Sequence, residues 1–339
     1  SIQLIMPSFG LKTLILFGSG LDILLGVGIL LHLFLKSGLS YKFIVVSCIP
    51  ALAIFLFVTL FVQLNPLAMA SGIYTSGVIK NNREMIFSKD GKTASISFFR
   101  NDDYLAVATN GKTEAAISEK RLSKDEPTMI LLGLLPLSII ADTESVAIIG
   151  IGSGLTSHSV LLSTQPTQVD TIEIEPAMVE AAQLFDKRVE RVFNDPRSYI
   201  HIEDAKSYFS NHSSNYDVII SEPSNPWVSG VAGLFSQEFY QHIQRYLKTD
   251  GLFVQWVHLY HIDPLQIASV VKALSPQFSD YRIYTLNYSD IAIVATKAGE
   301  VPLMHDQLFN DNPTKEQLSR LGIESLDDLT IRELGSKQT

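Results

Sequence analysis

The chain has 339 residues, 46% of them hydrophobic, and a formal net charge of −9. Residues 1–64 hold only Lys12, Lys36, Lys42 and Asp22, a net of +2, so the remainder carries −11; so acidic a body repels phosphate backbones and excludes nucleic acid as an expected partner. The single cysteine, Cys48, rules out a disulfide framework or a thiolate metal site within one chain, and no metal is expected.

Two apolar runs come first. From Thr13 to Leu35 the only ionisable residues are Asp22 and His32, and from Phe43 to Gln63 there are none. Each run can cross a hydrocarbon core of about 30 Å at about 1.5 Å per residue, which predicts two transmembrane helices and a lipid bilayer as partner. A buried helical hairpin is the alternative. The first run is too long for a signal peptide and lacks a basic leader, and a start at Ser1 implies a piece of a longer membrane protein. Asp22, within the first run, hints at function without naming a partner. Lys36 and Lys42 flank the connection "SGLSY", and the positive-inside rule puts that loop in the cytoplasm and everything after residue 64 outside.

After the linker "LNPLAMASGIY", the segments "EMIFSK", "TASISFFR" and "YLAVATNGK" are broken by "DGK", "NDD" and "NGK", turn signals that predict a small antiparallel sheet over 73–118. "TMILLGLLPLSII" reads as a helix with a proline-terminated end. From Ser145 the runs "VAIIG", "VDTIEI", "YIHIE", "YDVIIS", "LFVQWV" and "IAIVAT" alternate with helical patterns. That alternation predicts an α/β, doubly wound domain over 145–297 with a parallel sheet covered on both faces. The expected organisation is thus membrane helices over 1–64, linker and small sheet over 65–144, the α/β domain, and a helical tail over 298–339 without legible chemistry.

The first strand of that domain runs into "GIGSGLT", where Gly150 and Gly152 let backbone amides and a helix start approach a ligand; a plain strand-to-helix turn is the alternative. Glu173 ends the second strand about 20 residues later, where an acid can accept from both ribose hydroxyls. A dinucleotide fingerprint wants glycine at Leu155, so an adenosyl ligand of the S-adenosylmethionine type is favoured over NAD. Glu175 reads as a solvated helix-start charge. Asp204 ends the third strand and either meets an adenine amino group or caps the next helix. Glu222 ends the fourth strand in "IISEPSNPWVSGVAGLF". It is either a general base taking the proton of an amine that attacks beside a sulfonium, or a solvated loop charge. Trp227, Val228 and Val231 would cover the crevice. His258 and His261, with no acidic or Cys partner placed to finish a metal site, read instead as a structural pair with its hydrogen bonds satisfied, and Phe239, Tyr240 and Tyr246 read as core.

Together "DEPT", "VAIIGIGSG", "IEIEPAMVEAA", "EDAKSYF", "YDVIISEPSNP", "LFSQEFY" and "GLFVQW" resemble the spermidine synthase family, which moves an aminopropyl group from decarboxylated S-adenosylmethionine to a polyamine. The membrane start followed by "SEPSNPWVSGVAGLF" resembles bacterial fused membrane/spermidine synthase-like proteins. The resemblance implies a class I methyltransferase-type fold in which Gly150, Gly152 and Gly154 cradle the donor and Gln255 lies near its tail. It also marks departures. Ser153 replaces an acid of the first loop, Glu222 stands for the catalytic aspartate, and Asn225 replaces the acid that grips the diamine. Met129 and Ile130 occupy the place of a Tyr-Gln pair.

The expected function is a membrane-anchored transferase with S-adenosylmethionine or its decarboxylated form as donor and a small-molecule amine as acceptor. With negative charge lost at Ser153 and Asn225, ordinary S-adenosylmethionine is expected to bind at least as well as the decarboxylated form. A methyltransferase and a non-catalytic nucleoside sensor on a transporter-like membrane region are the alternatives, and a homodimer is one assembly open to the chain. A cytosolic donor outweighs two loop lysines, so the expected location is a multi-pass inner-membrane protein with its catalytic domain in the cytoplasm.

Overall fold

The structure, a computed structural model, describes every residue except 1, 39, 74–76, 80, 81, 119 and 229. Helix α1, Ile2–Ser37, breaks at Gly10, whose φ of 81° and ψ of 166° only glycine adopts without strain. It restarts at Leu11 and runs for about 40 Å. Helix α2, Tyr41–Phe61, begins on the Ser40 cap and returns alongside, with the Lys12 ammonium donating to the Thr59 carbonyl at 2.8 Å. The apolar windows of both helices are free of buried residues, and both are long enough to cross a membrane. The restart of α1 is held from outside: Asp90 accepts the otherwise unpaired Leu11 N–H at 2.7 Å, which also places a carboxylate at a helix N-terminus.

Strands β1 (Glu84–Asp90), β2 (Ser95–Asn101), β3 (Tyr104–Thr109) and β4 (Lys112–Ser118) form an antiparallel meander in sequence order. The turn at Asn110 and Gly111, with φ of 50° and 84°, makes the predicted "NGK" hairpin. "KTEAAIS", the end of the 73–118 stretch, follows that turn and supplies β4. The inner face of this sheet, with Ile96, Phe98, Val107 and Ile117, joins the same apolar core as helix Glu126–Leu134 and one face of the large sheet.

The large sheet contains β5 (Ser145–Ile149), β6 (Gln168–Glu173), β7 (Ser198–Ile202), β8 (Tyr216–Ser221), β9 (Leu247–His258), β10 (Asp280–Thr285), β11 (Asp290–Thr296) and β12 (Glu333–Ser336) in the order 12-10-11-9-8-5-6-7. Strands β5 to β9 pair in parallel, and every residue of β8 is buried, as expected of a strand covered on both faces. Strand β11, the "IAIVAT" run, pairs antiparallel with β9, and β10 and β12 extend that edge. The tail is therefore structural: it adds an edge strand, and Arg320 reaches the buried Glu126 at 2.9 Å, where Arg188 also binds.

The winding reverses between β5 and β8, which are neighbours. A crevice opens at the carboxyl ends of strands at such a point. It is there that the small sheet and the loop after β8 close over the domain.

Candidate active site

Three glycines shape the turn after β5, with φ of 94° at Gly150, 50° at Gly152 and 87° at Gly154. Gly154 caps helix Leu155–Leu162. The turn folds onto the end of β6: Gly150 N–H donates to the Ile172 carbonyl at 2.8 Å, and Ile151 N–H donates to Glu173 Oε2 at 3.0 Å. The other Glu173 oxygen accepts from Glu175 N–H at 2.9 Å. Burial pushes the Glu173 carboxyl above its ordinary range, and the amide donors oppose this. Each oxygen keeps a lone pair for a ligand hydroxyl.

Glu222 follows β8 directly, and its N–H is tied to the Ile149 carbonyl at 3.0 Å, so it stands against the glycine turn. The Thr156 hydroxyl donates to Glu222 Oε2 at 2.5 Å. Burial pushes the Glu222 carboxyl up to about 7, a shift opposed by the Thr156 hydrogen bond and assisted by the negative charge of Asp290. Lys112 and Glu114 of β4, paired at 2.6 Å, hold the following loop through Ser224.

These groups border one cavity of about 720 Å³. Of the residues singled out in the sequence, Gly150, Gly152, Ser153, Glu173, Asp204 and Glu222 line it. Asp204 also caps helix Ala205–Asn211, accepting Ser207 N–H at 3.0 Å, so the two readings of it are compatible. Ser153 is buried, with its hydroxyl donating to Met129 Sδ at 3.0 Å and accepting Leu155 N–H. Val228 and Val231 lie on the wall as an apolar cover would.

Four of the residues lie off the wall. Gly154 sits behind the turn as the helix cap. Gln255 is buried within β9, donating to the Trp256 carbonyl at 3.0 Å and accepting from the Tyr240 hydroxyl at 3.3 Å. Side chains alternate along a strand, and here Trp256 takes the cavity face. Asn225 is fully buried, its side chain beside the Tyr260 hydroxyl. Trp227 is 45% exposed and stands edge-on to His258, centroids 4.4 Å apart.

Two expectations need correction. Glu175 is buried, not solvated; it caps helix Pro176–Ala182 and accepts from Thr93 N–H at 2.7 Å, fastening the small sheet to the end of β6. His258 is buried, but neither ring nitrogen has a hydrogen bond, and burial brings it down to about 4.

Other wall residues escaped the sequence reading. Asp125 stands at the start of helix Glu126–Leu134, pushed up to about 6 by burial and by the Asp290 charge. Asp290 is buried at the foot of β11 and accepts from the Trp256 indole N–H at 3.1 Å and from the Thr128 hydroxyl at 2.8 Å. Tyr260 and Tyr288 complete that end. The cavity wall carries eight carboxyl side chains and only two lysines, an excess that favours cationic ligands.

Comparison with known proteins agrees with this geometry. Residues 129–299, half of the chain, match the family model of the spermine/spermidine synthase domain. A polyamine aminopropyltransferase of Thermoanaerobacter sp. is 28% identical over 167 residues, which cover 49% of this chain and 58% of that protein. The enzyme of the same name from Thermotoga maritima is 28% identical over 178 residues, 52% of this chain and 58% of that one. The chain thus spans a little over half the length of the curated relatives it matches. The crystal structure of spermidine synthase from Thermotoga maritima superposes with a TM-score of 0.55 at 26% identity, covering 63% of this chain and 73% of that one. A spermidine synthase in complex with the transition-state analogue AdoDATO gives 0.56, also at 26% identity, over 63% and 74%. With half its length matched by the family model and its fold superposing on solved spermidine synthases at 26% identity, the chain belongs to the spermine/spermidine synthase family.

Proposed function

We propose that the protein transfers an aminopropyl group from decarboxylated S-adenosylmethionine to an aliphatic amine, with Glu222 as general base. One observation carries this reading: Glu222, its carboxyl raised to about 7, shares a single acidic cavity with the glycine turn and Glu173. Near neutral pH such a carboxyl can exist as either acid or base. The amine nitrogen attacks the propyl carbon bonded to the sulfonium. A C–N bond forms as the C–S bond breaks, its electron pair returns to sulfur as a neutral thioether, and the nitrogen's proton passes to Glu222.

The acidic wall also bears on the donor. Ordinary S-adenosylmethionine brings a carboxylate into a cavity with eight carboxyl groups, whereas the decarboxylated form brings only positive charge. This outweighs the charges lost at Ser153 and Asn225, so the decarboxylated donor is expected to bind at least tenfold tighter, about 1.4 kcal/mol. Calorimetric titration of the full chain in detergent with both donors checks this. Equal affinities would favour the methyltransferase reading. In the same titration Glu173→Ala should weaken either donor by about 1.5–3 kcal/mol, the value of its charge-assisted hydrogen bonds.

The reading extends to the membrane. Helices α1 and α2 anchor the domain in the inner membrane, and the Lys12 contact with Thr59 together with Asp90 at the restart of α1 supports a domain held close to the bilayer at one end of the helix pair. The side is the cytoplasm, where the donor is made. A reporter that is active only in the cytoplasm, fused after Thr339, should be active; activity only of a reporter for the opposite side would remove the donor and the transfer reading with it.

A further inference from the structure

Glu222 is held by a residue that does not itself face the cavity. Its Oε2 accepts the Thr156 hydroxyl at 2.5 Å, and among the described residues no second donor reaches the carboxylate. Thr156 is buried behind the cavity wall, whereas Glu222 lines the cavity. One carboxylate oxygen is therefore tied back, and Oε1 is left for a ligand.

The place of Thr156 is fixed from two sides. It is the second residue of helix Leu155–Leu162, whose start is set by the glycine turn: Gly154 N–H donates to the Ile151 carbonyl at 2.6 Å, and Leu155 N–H donates to the Ser153 hydroxyl at 3.2 Å. From the other side Gly133 of helix Glu126–Leu134 packs so closely that an added Cβ would lie 2.8 Å from the Thr156 carbonyl oxygen and 3.1 Å from Ser159 Cβ. In the first turn of a helix no helical carbonyl stands four residues back to compete for the hydroxyl, so it is free to serve Glu222.

This orientation suits both states of a base. The carboxylate presents Oε1 to the amine, the amine's proton lands on Oε1, and Thr156 goes on donating to Oε2, which becomes the carbonyl oxygen of the acid. Neither group has to turn during the transfer, as a preorganised site requires. A hydrogen bond donated to the carboxylate also favours its ionised form, against the burial that disfavours it.

We infer that Thr156 is the positioning residue of the base: it assigns Oε1 to the amine's proton and is matched to a carboxylate of glutamate length. The inference rests on the amine-transfer reading and deepens it. An aspartate at position 222 would end about 1.5 Å short, stretching the contact to about 4 Å and out of hydrogen-bond range.

The test titrates the Glu222 carboxyl of the full chain in detergent by infrared difference spectroscopy, its C=O band identified by its loss in Glu222→Gln. The unsubstituted protein should titrate at about 7, and Thr156→Val, similar in shape but without a donor, about one to two pH units higher, the worth of one hydrogen bond to a charged group. With decarboxylated S-adenosylmethionine and 1,4-diaminobutane, kcat/KM of Thr156→Val should fall about five- to fiftyfold at pH 7 and recover as pH rises through the new midpoint, with donor affinity unchanged. Thr156→Ser should restore both midpoint and rate, and Thr156→Ala gives the same reading as valine should valine disturb the helix. Adding Thr156→Val to Glu222→Asp should cost nothing further, because the shorter acid has already lost the bond. The charged groups of neighbouring elements, Asp290 of β11, Glu173 of β6, Asp125 before helix Glu126–Leu134 and the paired Lys112 and Glu114 of β4, are the same in every variant. An unshifted titration in Thr156→Val, or a rate loss equal at every pH, overturns the inference and leaves the transfer reading standing. A shifted titration without amine turnover at any pH overturns the transfer reading and, with it, the base that Thr156 would serve.

Discussion

Glu222→Gln is expected to lower turnover by about 10²- to 10⁴-fold, the usual contribution of a general base, while donor affinity stays near that of the unsubstituted protein. Glutamine preserves volume and can still accept from the Thr156 hydroxyl, so the turn and cavity keep their shape. Stability should move the other way. Because the carboxyl is raised to about 7 in the fold, its favourable protonated state is fully present below the unfolded value near 4.5 and is lost as pH rises through 7. At pH 8 the ionised, largely desolvated carboxylate opposes folding, and removing it should stabilise by on the order of 2–3 kcal/mol. A higher Tm at pH 8, little change at pH 4.5 and a collapsed turnover would together identify a base held at a cost to the fold. For the unsubstituted protein, kcat/KM should rise with pH through about 7 as Glu222 ionises. A solvated loop charge would show neither the turnover loss nor the gain in Tm.

Gly150→Ala should remove donor binding and destabilise the fold by roughly 2–5 kcal/mol, combining backbone strain with overpacking. At φ of 94° an added Cβ lies 2.4 Å from the Glu222 carbonyl oxygen and 3.3 Å from its carbonyl carbon. Both are backbone atoms of the strand end that carries the base, so either the glycine turn or Glu222 must move. Gly152→Ala is the control. Its φ is 50° and a Cβ there meets nothing within 4 Å, so only the left-handed backbone cost of about 1–2 kcal/mol applies. Chemical denaturation and donor titration of both variants check this. Equal losses would mean that contact between the turn and the Glu222 peptide is not what positions the base.

Coupling of the turn to the base by a missing Cβ shows why part of the site was readable in advance. In a parallel, doubly wound sheet each strand tip lies on one edge, so a glycine turn after β5 and carboxylates after β6, β7 and β8 were bound to share a crevice once the strands were recognised. Gly150, Glu173, Asp204 and Glu222 needed only the local alternation of apolar runs and helices. Gln255 shows the limit of that local reading. The carry-over put it near the donor, but the strict alternation of side chains along β9 gives the cavity face to Trp256.

The sequence by itself therefore determined the class of fold, the apolar helices and the strand-tip half of the cavity, because those follow from periods of two and 3.6 residues and from glycine's freedom at positive φ. Only the tertiary structure decided the rest. Thr156 lies 66 residues from the Glu222 it binds, and Thr128 lies 162 residues from Asp290. Strand β11 runs antiparallel and brings Asp290 back to the same edge, a reversal invisible in "IAIVAT". Glu175 looked like a solvated helix-start charge until the small sheet docked on it through Thr93. Such meetings depend on which strands pair and which faces bury apolar area, and no single segment's pattern specifies either.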